Sequence, residues 1–309
     1  PLDEQESPFA LCFSSRRMLS EAKIVGADNV PKLLSRILLV YFGFELVLAC
    51  YLTLRLHLSY GQELLSSLWH GTFHAISAFN NGGFSLYTDS MVGFRQDMFF
   101  IAPVMLAVIV GGLGFPVLIE LHERLWRLRL QPGGKARRFS LHTRLTLWMT
   151  VTLLVIGALF IGAMEWNNPG TLGGLNTWDK FVNTMFASVM PRSGGLNSVD
   201  ISQMDPATWL GIDLLMFIGG GSASTAGGIK VTTIAVLVFI IYTEIRGETA
   251  VNVGNRRLPR SIQRQALTLV ALSAVAILFT TLLFAATTNF SLDQILFDVI
   301  SAAATVGLS

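Results

Sequence analysis

Charge is scarce in this sequence: only 14% of its 309 residues are Asp, Glu, Lys or Arg, against the roughly 25% usual for soluble domains. Water is therefore not the main solvent of the folded chain. Cysteine is scarcer still, and Cys12 and Cys50 stand alone in dissimilar segments, so neither a disulfide framework nor a metal cluster can be read from them. The first thirty residues lack the basic, then apolar, then small pattern of a secretory signal, and the start on Pro1 predicts a chain that begins within a longer protein. No Ser-His-Asp order, no paired carboxylates of a soluble cleft and no nucleotide fingerprint occurs. Gly228-Ile229-Lys230 fails as a phosphate loop because Ile229 separates the glycine from the lysine. Neither catalysis, a covalent cofactor nor a nucleic-acid partner is expected.

What the sequence has instead is apolar length. Hydrophobic residues make up 52% of it and gather in five runs, 37–58, 98–121, 143–164, 209–242 and 265–288. A helix rises about 1.5 Å per residue, so about 20 residues cross the roughly 30 Å hydrocarbon core. All five runs reach that length, and the fourth is too long for one plain helix. Basic residues occupy alternate connections. Segment 1–36 carries Arg16, Arg17, Lys23, Lys32 and Arg36. Arg124, Arg127, Arg129, Lys135, Arg137, Arg138 and Arg144 face a single acid, Glu123, in the next, and Arg246, Arg256, Arg257, Arg260 and Arg264 fill the third. These three connections belong on the cytoplasmic side. Segments 84–97 and 196–208 hold one arginine between them and four aspartates, Asp89, Asp97, Asp200 and Asp205, and belong outside. Each is preceded by a short apolar stretch, 64–79 or 178–190, that cannot also cross without inverting this order. A half-helix that dips in and returns preserves it; an amphipathic helix on the membrane surface is the alternative.

A repeat favours the re-entrant reading. Ser77 opens SAFNNGGFS, Ser188 opens SVMPRSGGLNS and Ser301 opens SAAATVGLS, and the last glycines, Gly83, Gly195 and Gly307, are each separated by 112 residues. The unit reads as crossing helix, outer loop, half-helix, glycine loop, crossing helix and basic connection, which is a pore module. A filter must turn successive carbonyl oxygens inward to replace the water shell of a cation, and a Cβ obstructs that backbone geometry. Non-helical backbone at membrane depth is tolerable where it is buried or lines water, and the negative end of each half-helix dipole favours cations. Thr305-Val306-Gly307-Leu308 also resembles the start of the TVGYG filter of potassium channels. The expected ion ligands are the carbonyls of Asn81, Gly82, Gly83, Ser193, Gly194, Gly195, Thr305, Val306 and Gly307, with potassium as the transported ion.

The fourth apolar run is interrupted by Gly219, Gly220, Gly221, Ser222, Ala223, Ser224, Thr225, Ala226, Gly227 and Gly228, followed by Ile229 and Lys230. At about 1 kcal/mol of helix propensity per glycine, the helix should open here into a loop at membrane depth. Beneath a filter such a loop obstructs the ion path, so these ten residues are the expected gate; a linker between soluble helices is the alternative. Glu45 and Asp213 fall inside spans, where a carboxylate needs a partner or a water-filled cavity, and both are assigned to helix packing or hydrogen bonding. Arg192, within a filter loop, is expected to brace that loop through carbonyls or carboxylates. His70 and His74 share the metal-binding i, i+4 spacing but lack further ligands, so packing is expected of them.

Several segments carry a family resemblance: Ala78-Phe79-Asn80-Asn81-Gly82-Gly83-Phe84, Pro191-Arg192-Ser193-Gly194-Gly195-Leu196, Ala304-Thr305-Val306-Gly307-Leu308, Gly111-Gly112-Leu113-Gly114-Phe115-Pro116 and Tyr41-Phe42-Gly43-Phe44-Glu45-Leu46. They resemble the Trk/Ktr/HKT superfamily of potassium transporters, most closely its Ktr-type membrane pore subunit. The resemblance implies four membrane-pore-membrane units around one pore, a homodimer, and a cytosolic nucleotide-binding regulatory ring that moves the intramembrane gate. It further implies that the first unit is absent, that the chain stops at Ser309 before a closing helix, and that it is a fragment or an interrupted reading frame. Ser222 stands where the family often has proline.

The expected fold is an all-α polytopic membrane protein of repeated membrane-pore-membrane units with re-entrant half-helices and glycine filter loops. A cytoplasmic segment 1–36 precedes a unit 37–121 with its filter loop near 80–84, and a basic loop 122–142 follows. A unit 143–243 has its filter loop near 192–196 and its second helix broken at 219–228; a basic loop 244–264 leads into an incomplete unit 265–309 with its filter loop near 304–308. Localisation in the plasma membrane follows, with anionic lipid heads against the basic loops. The leading function is potassium uptake. A transporter of the same fold that passes sodium or uses it as a coupling ion is a second reading, and a nonconducting fragment or membrane scaffold a third.

Overall fold

The computed structural model describes residues 30–130, 139–247, 250–253 and 256–309. Cys12 and the basic residues Arg16, Arg17, Lys23, Lys135, Arg137 and Arg138 lie outside them. The chain divides into two compact units, Pro1–Phe44 and Glu45–Ser309.

The described residues are mostly helical. In chain order they form α1 (Val30–Tyr60), α2 (Leu64–Phe79), α3 (Met98–Leu113), α4 (Phe115–Leu130), α5 (Leu141–Glu165), α6 (Thr177–Val189), α7 (Pro206–Phe217), α8 (Val231–Ile245), α9 (Arg260–Thr287) and α10 (Leu292–Ala303). A small antiparallel ribbon, β1 (Asn252–Val253) against β2 (Arg256–Arg257), interrupts the basic connection before α9. Helix starts follow local chemistry. The side chains of Asp97, Ser140 and Asn176 accept from the first free N–H groups of α3, α5 and α6, Pro206 opens α7, and Ser291 with Gln294 forms a capping box on α10.

Three helices, Ile37–Tyr60 of α1, Leu141–Glu165 and Arg260–Thr287, are long and apolar enough to cross a membrane. α5 leaves Trp148, Val151, Val155, Ile156 and Leu159 exposed, and α9 leaves Leu272, Val275, Leu278, Phe279 and Leu282 exposed. The interior, by contrast, holds Thr53, Ser67, Thr146, Thr150, Asn183 and Ser188. Apolar side chains outward and small polar ones inward is the arrangement of a protein solvated by lipid.

α2, α6 and α10, with 16, 13 and 12 residues, extend only about 24, 20 and 18 Å. α2 packs on α3, α6 on α3 and α5, and α10 on α7 and α9.

Run 98–121 departs from a single straight span. α3 ends at Leu113, and α4 leaves at 106° to it. Gly114 makes the turn at φ +90°, a conformation that side chains with a Cβ rarely adopt, and Pro116 then supplies no N–H to the first turn of α4. The bend is held from outside the run: Gly221 N–H donates to the Gly112 carbonyl (2.7 Å) and Phe115 N–H to that of Ala223 (3.2 Å). Run 209–242 is likewise divided, into α7 and α8.

Candidate functional site

Each short helix ends in one of the repeated glycine loops, and the three loops share one backbone pattern. Asn81, Ser193 and Thr305 have φ of 54°, 70° and 53°, and Gly83, Gly195 and Gly307 have φ of 71°, 63° and 91°. The residue between each pair, Gly82, Gly194 or Val306, does not share the positive φ. Alternating backbone handedness turns successive carbonyls to one side of the chain. Left-handed asparagine, serine and above all β-branched threonine are uncommon, so three of them in register mark a backbone held for a purpose. The hold is visible: the N–H of Gly82, Gly194 and Val306 each donate back to the end of the preceding helix, to Ser77, Met190 and Ser301 carbonyls, all at 2.8 Å.

The loops converge. A Cβ built on Gly83 would lie 2.7 Å from the Val306 carbonyl oxygen, 3.0 Å from Gly195 Cα and 3.6 Å from the Gly194 carbonyl oxygen; one on Gly307 would lie 3.9 Å from the Gly83 oxygen. Carbonyl oxygens from three loops thus share one small space, at the C-terminal, partly negative ends of α2, α6 and α10. Ser77, the first residue of its repeat, and His74, assigned from sequence to packing, fix the segment leaving the first loop. Ser77 Oγ donates to the Phe84 carbonyl (2.7 Å) and accepts from Phe84 N–H (2.9 Å). His74, fully buried, meets the His70 carbonyl through Nδ1 (2.7 Å), which leaves Nε2 to accept from Leu86 N–H (3.4 Å). His70 and His74 both stack on Tyr87, at 4.9 and 5.1 Å between ring centroids.

Residues Gly219 to Gly228 lie against this convergence. Gly227 N–H donates to Ser193 Oγ (3.0 Å) and Thr225 Oγ1 to the Phe79 carbonyl (3.3 Å), and a Cβ on Gly227 would collide with Thr305 Oγ1 and the Ala304 carbonyl. The segment also braces itself: Ser224 Oγ donates to Gly221 (2.7 Å), Ser222 and Thr232 hydroxyls pair (2.8 Å), and Lys230 Nζ donates to the Ala226 carbonyl (2.5 Å). At its ends Gly219 N–H donates to Ile229 (2.9 Å) and Val231 N–H to Gly220 (3.0 Å). Gly220, Gly221 and Ala226 are buried and the residues from Ser222 to Thr225 half-buried.

Other expected residues fall as follows. Arg192 is 7% exposed, and its guanidinium donates to Thr150 Oγ1 on α5 (3.3 Å). This partner is a hydroxyl, where a carbonyl or carboxylate was expected. Glu45, assigned from sequence to helix packing or hydrogen bonding, accepts at 2.6 Å from Asn80, the residue capping α2 just before the first loop. Nothing local in the sequence signals that contact. Asp213 is buried, and its Oδ1 has no hydrogen-bond partner among the described residues. Asp97 accepts from Arg55 and from Tyr60 OH (2.9 Å). Burial pushes its carboxyl up, but these hydrogen bonds outweigh burial and hold it below the ordinary carboxylate range.

Short helices ending in converging loops, packed against longer apolar helices, define a helical membrane protein. The fold matches the crystal structure of the potassium transporter TrkH from Vibrio parahaemolyticus with a TM-score of 0.65 and 14% identity, over 90% of this chain and 62% of that one. Residues 15–309 match the family described as TrkH, Cation transport protein, and the chain belongs to that family. It is 36% identical over 291 residues to Ktr system potassium uptake protein B of Bacillus subtilis (strain 168), covering 94% of this chain and 62% of the relative. Ktr system potassium uptake protein B of Vibrio alginolyticus is 32% identical, over 97% of this chain and 65% of the relative. Potassium/sodium uptake protein NtpJ of Enterococcus hirae is also 32% identical, over the same shares. The chain thus spans less than two thirds of the length of these relatives.

Proposed function

We propose that this chain supplies three repeated units of a membrane pore that takes up potassium. The ion ligands are the backbone carbonyls of Asn81 to Gly83, Ser193 to Gly195 and Thr305 to Gly307, and residues 219–228 are the gate. The observation that carries this reading is the meeting of three loops with one left-handed pattern at Gly83, Gly195 and Gly307. The names of the relatives support potassium as the ion. The gate assignment rests on the contacts of Gly227 and Thr225 with two filter loops. Arg192 supports the second loop from behind.

Arg124, Arg144, Arg246, Arg260 and Arg264 support a cytoplasmic side of the plasma membrane for the basic connections, and with them for the N-terminal segment. There they suit anionic lipid heads and the cytosolic nucleotide-binding ring implied by the resemblance, with a second copy of the chain completing a homodimer. Sodium permeation or coupling is a second reading, favoured by the potassium/sodium uptake protein among the relatives.

The test is potassium and sodium flux into liposomes holding the full-length protein and its Gly195→Ser variant. Selective potassium flux altered by the substitution is expected. Sodium flux moves the assignment to the second reading, and no flux from folded, inserted protein moves it to a nonconducting scaffold.

A further inference from the structure

Ser193 occupies an unusual chemical position, between a filter loop and the gate segment. Its hydroxyl donates to the Thr305 carbonyl at 2.9 Å and accepts from Gly227 N–H at 3.0 Å. An amide N–H can only donate and a carbonyl can only accept, so both roles of the hydroxyl are fixed, with its proton committed to Thr305. Ser193 is 1% exposed, so water does not compete for either bond. The link joins residues far apart in sequence: 34 positions separate Ser193 from Gly227 and 112 separate it from Thr305. Ser193 and Thr305 are also equivalent positions of the repeat, both held left-handed.

We propose that the Ser193 hydroxyl couples the gate segment to cation affinity in the filter, an inference that rests on the filter and gate assignments above. While residues 219–228 lie in place, Gly227 orients the hydroxyl and the hydroxyl occupies the Thr305 carbonyl, which is then a poorer cation ligand. When the segment withdraws, Ser193 Oγ loses its donor, the hydroxyl is free to rotate, and the Thr305 carbonyl turns to the ion. The occluding segment and a cation at Thr305 therefore exclude one another. By linkage, a cation bound there disfavours occlusion to the same degree that occlusion weakens its binding. The device needs a hydroxyl at position 193, not merely a small side chain.

The experiment is a double-substitution cycle on the full-length protein in liposomes, reading KM for potassium separately from maximal flux. Deleting residues 222–226 loosens the segment; Lys230→Met, which removes the ammonium on the Ala226 carbonyl, is a second loosening variant should the deletion not insert. In the wild-type background, loosening is expected to lower KM by about fivefold, the size of one neutral hydrogen bond. In Ser193→Ala, KM is already low and loosening produces no further shift. Ser193→Thr, which keeps a hydroxyl, returns the dependence. Additive shifts in the double variant, or an unchanged KM in Ser193→Ala, overturn the coupling while leaving the filter reading in place. Absence of saturable cation flux in the folded wild type defeats the filter reading and the coupling together.

Discussion

Arg55 closes on Asp97 with two parallel hydrogen bonds, Nε to Oδ2 at 3.0 Å and Nη2 to Oδ1 at 2.9 Å. Asp97 is also the cap of α3, accepting from Phe100 N–H at 3.2 Å, so one carboxylate joins the end of α1 to the start of α3. Asp97→Ala should lower stability by about 2 kcal/mol, a charged hydrogen bond and a cap together less solvent screening. The Asp97 carboxyl lies below its ordinary value in the folded protein, so its contribution is fully present above the ordinary carboxylate range and is lost as pH falls through and below it. Thermal unfolding in detergent across pH should therefore show wild type and variant converging only in strong acid.

Glu165, fully buried, accepts from Asp205 N–H (3.0 Å), Asn168 Nδ2 (2.7 Å), Thr171 Oγ1 (2.7 Å) and the Thr208 hydroxyl. Each carboxylate oxygen faces one nitrogen that can only donate, Asn168 Nδ2 or Asp205 N–H, so the amide nitrogen of a Glu165→Gln variant would point a donor at a donor in either orientation. A loss of about 2 to 3 kcal/mol is expected, read as a lower unfolding temperature with the selectivity of any remaining flux unchanged.

Gly195→Ala should abolish or sharply reduce flux. Its Cβ would collide with the Val306 carbonyl and lie 2.6 Å from Gly83 Cα, at φ +63°. The left-handed strain alone, 1–2 kcal/mol, corresponds to about a tenfold effect. Gly174→Ala, where a Cβ meets nothing within 4 Å, is the control. Equal flux from both variants, at equal levels of inserted protein, would contradict the convergence of the loops at Gly195.

The bend at Gly114 predicts an opposite sign. A Cβ there would collide with the Ser222 carbonyl at φ +90°. If residues 219–228 are the gate proposed above, relief by displacing them should raise basal potassium efflux by about tenfold, the factor that 1–2 kcal/mol of strain supplies. Efflux at or below wild type from inserted Gly114→Ala would remove the gate role from this segment.

The glycine spacing, the short apolar stretches and the interruption at 219–228 were legible because each is a local pattern: hydropathy, length and glycine content act over one turn or one helix. Run 98–121 was not legible as a bent pair. Gly111-Gly112-Leu113-Gly114-Phe115-Pro116 sits inside an unbroken apolar run, and hydropathy cannot distinguish a kink from a straight crossing. The partners that hold the bend, Gly221 and Ala223, lie more than a hundred residues away. The partner of Glu45 was not legible for the same reason, since its hydrogen bond with Asn80 spans 35 positions.

By itself, the sequence determined the apolar character of the chain, the long apolar helices α1, α5 and α9, and the three glycine loops, because burial of apolar length and the conformational freedom of glycine are properties of short segments. Only the tertiary structure decided that the loops meet at one point, that the broken helix lies against them, and that the Ser193 hydroxyl joins the two. Those facts depend on hydrogen bonds and close backbone contacts between distant residues, and such partners exist only once the helices have packed.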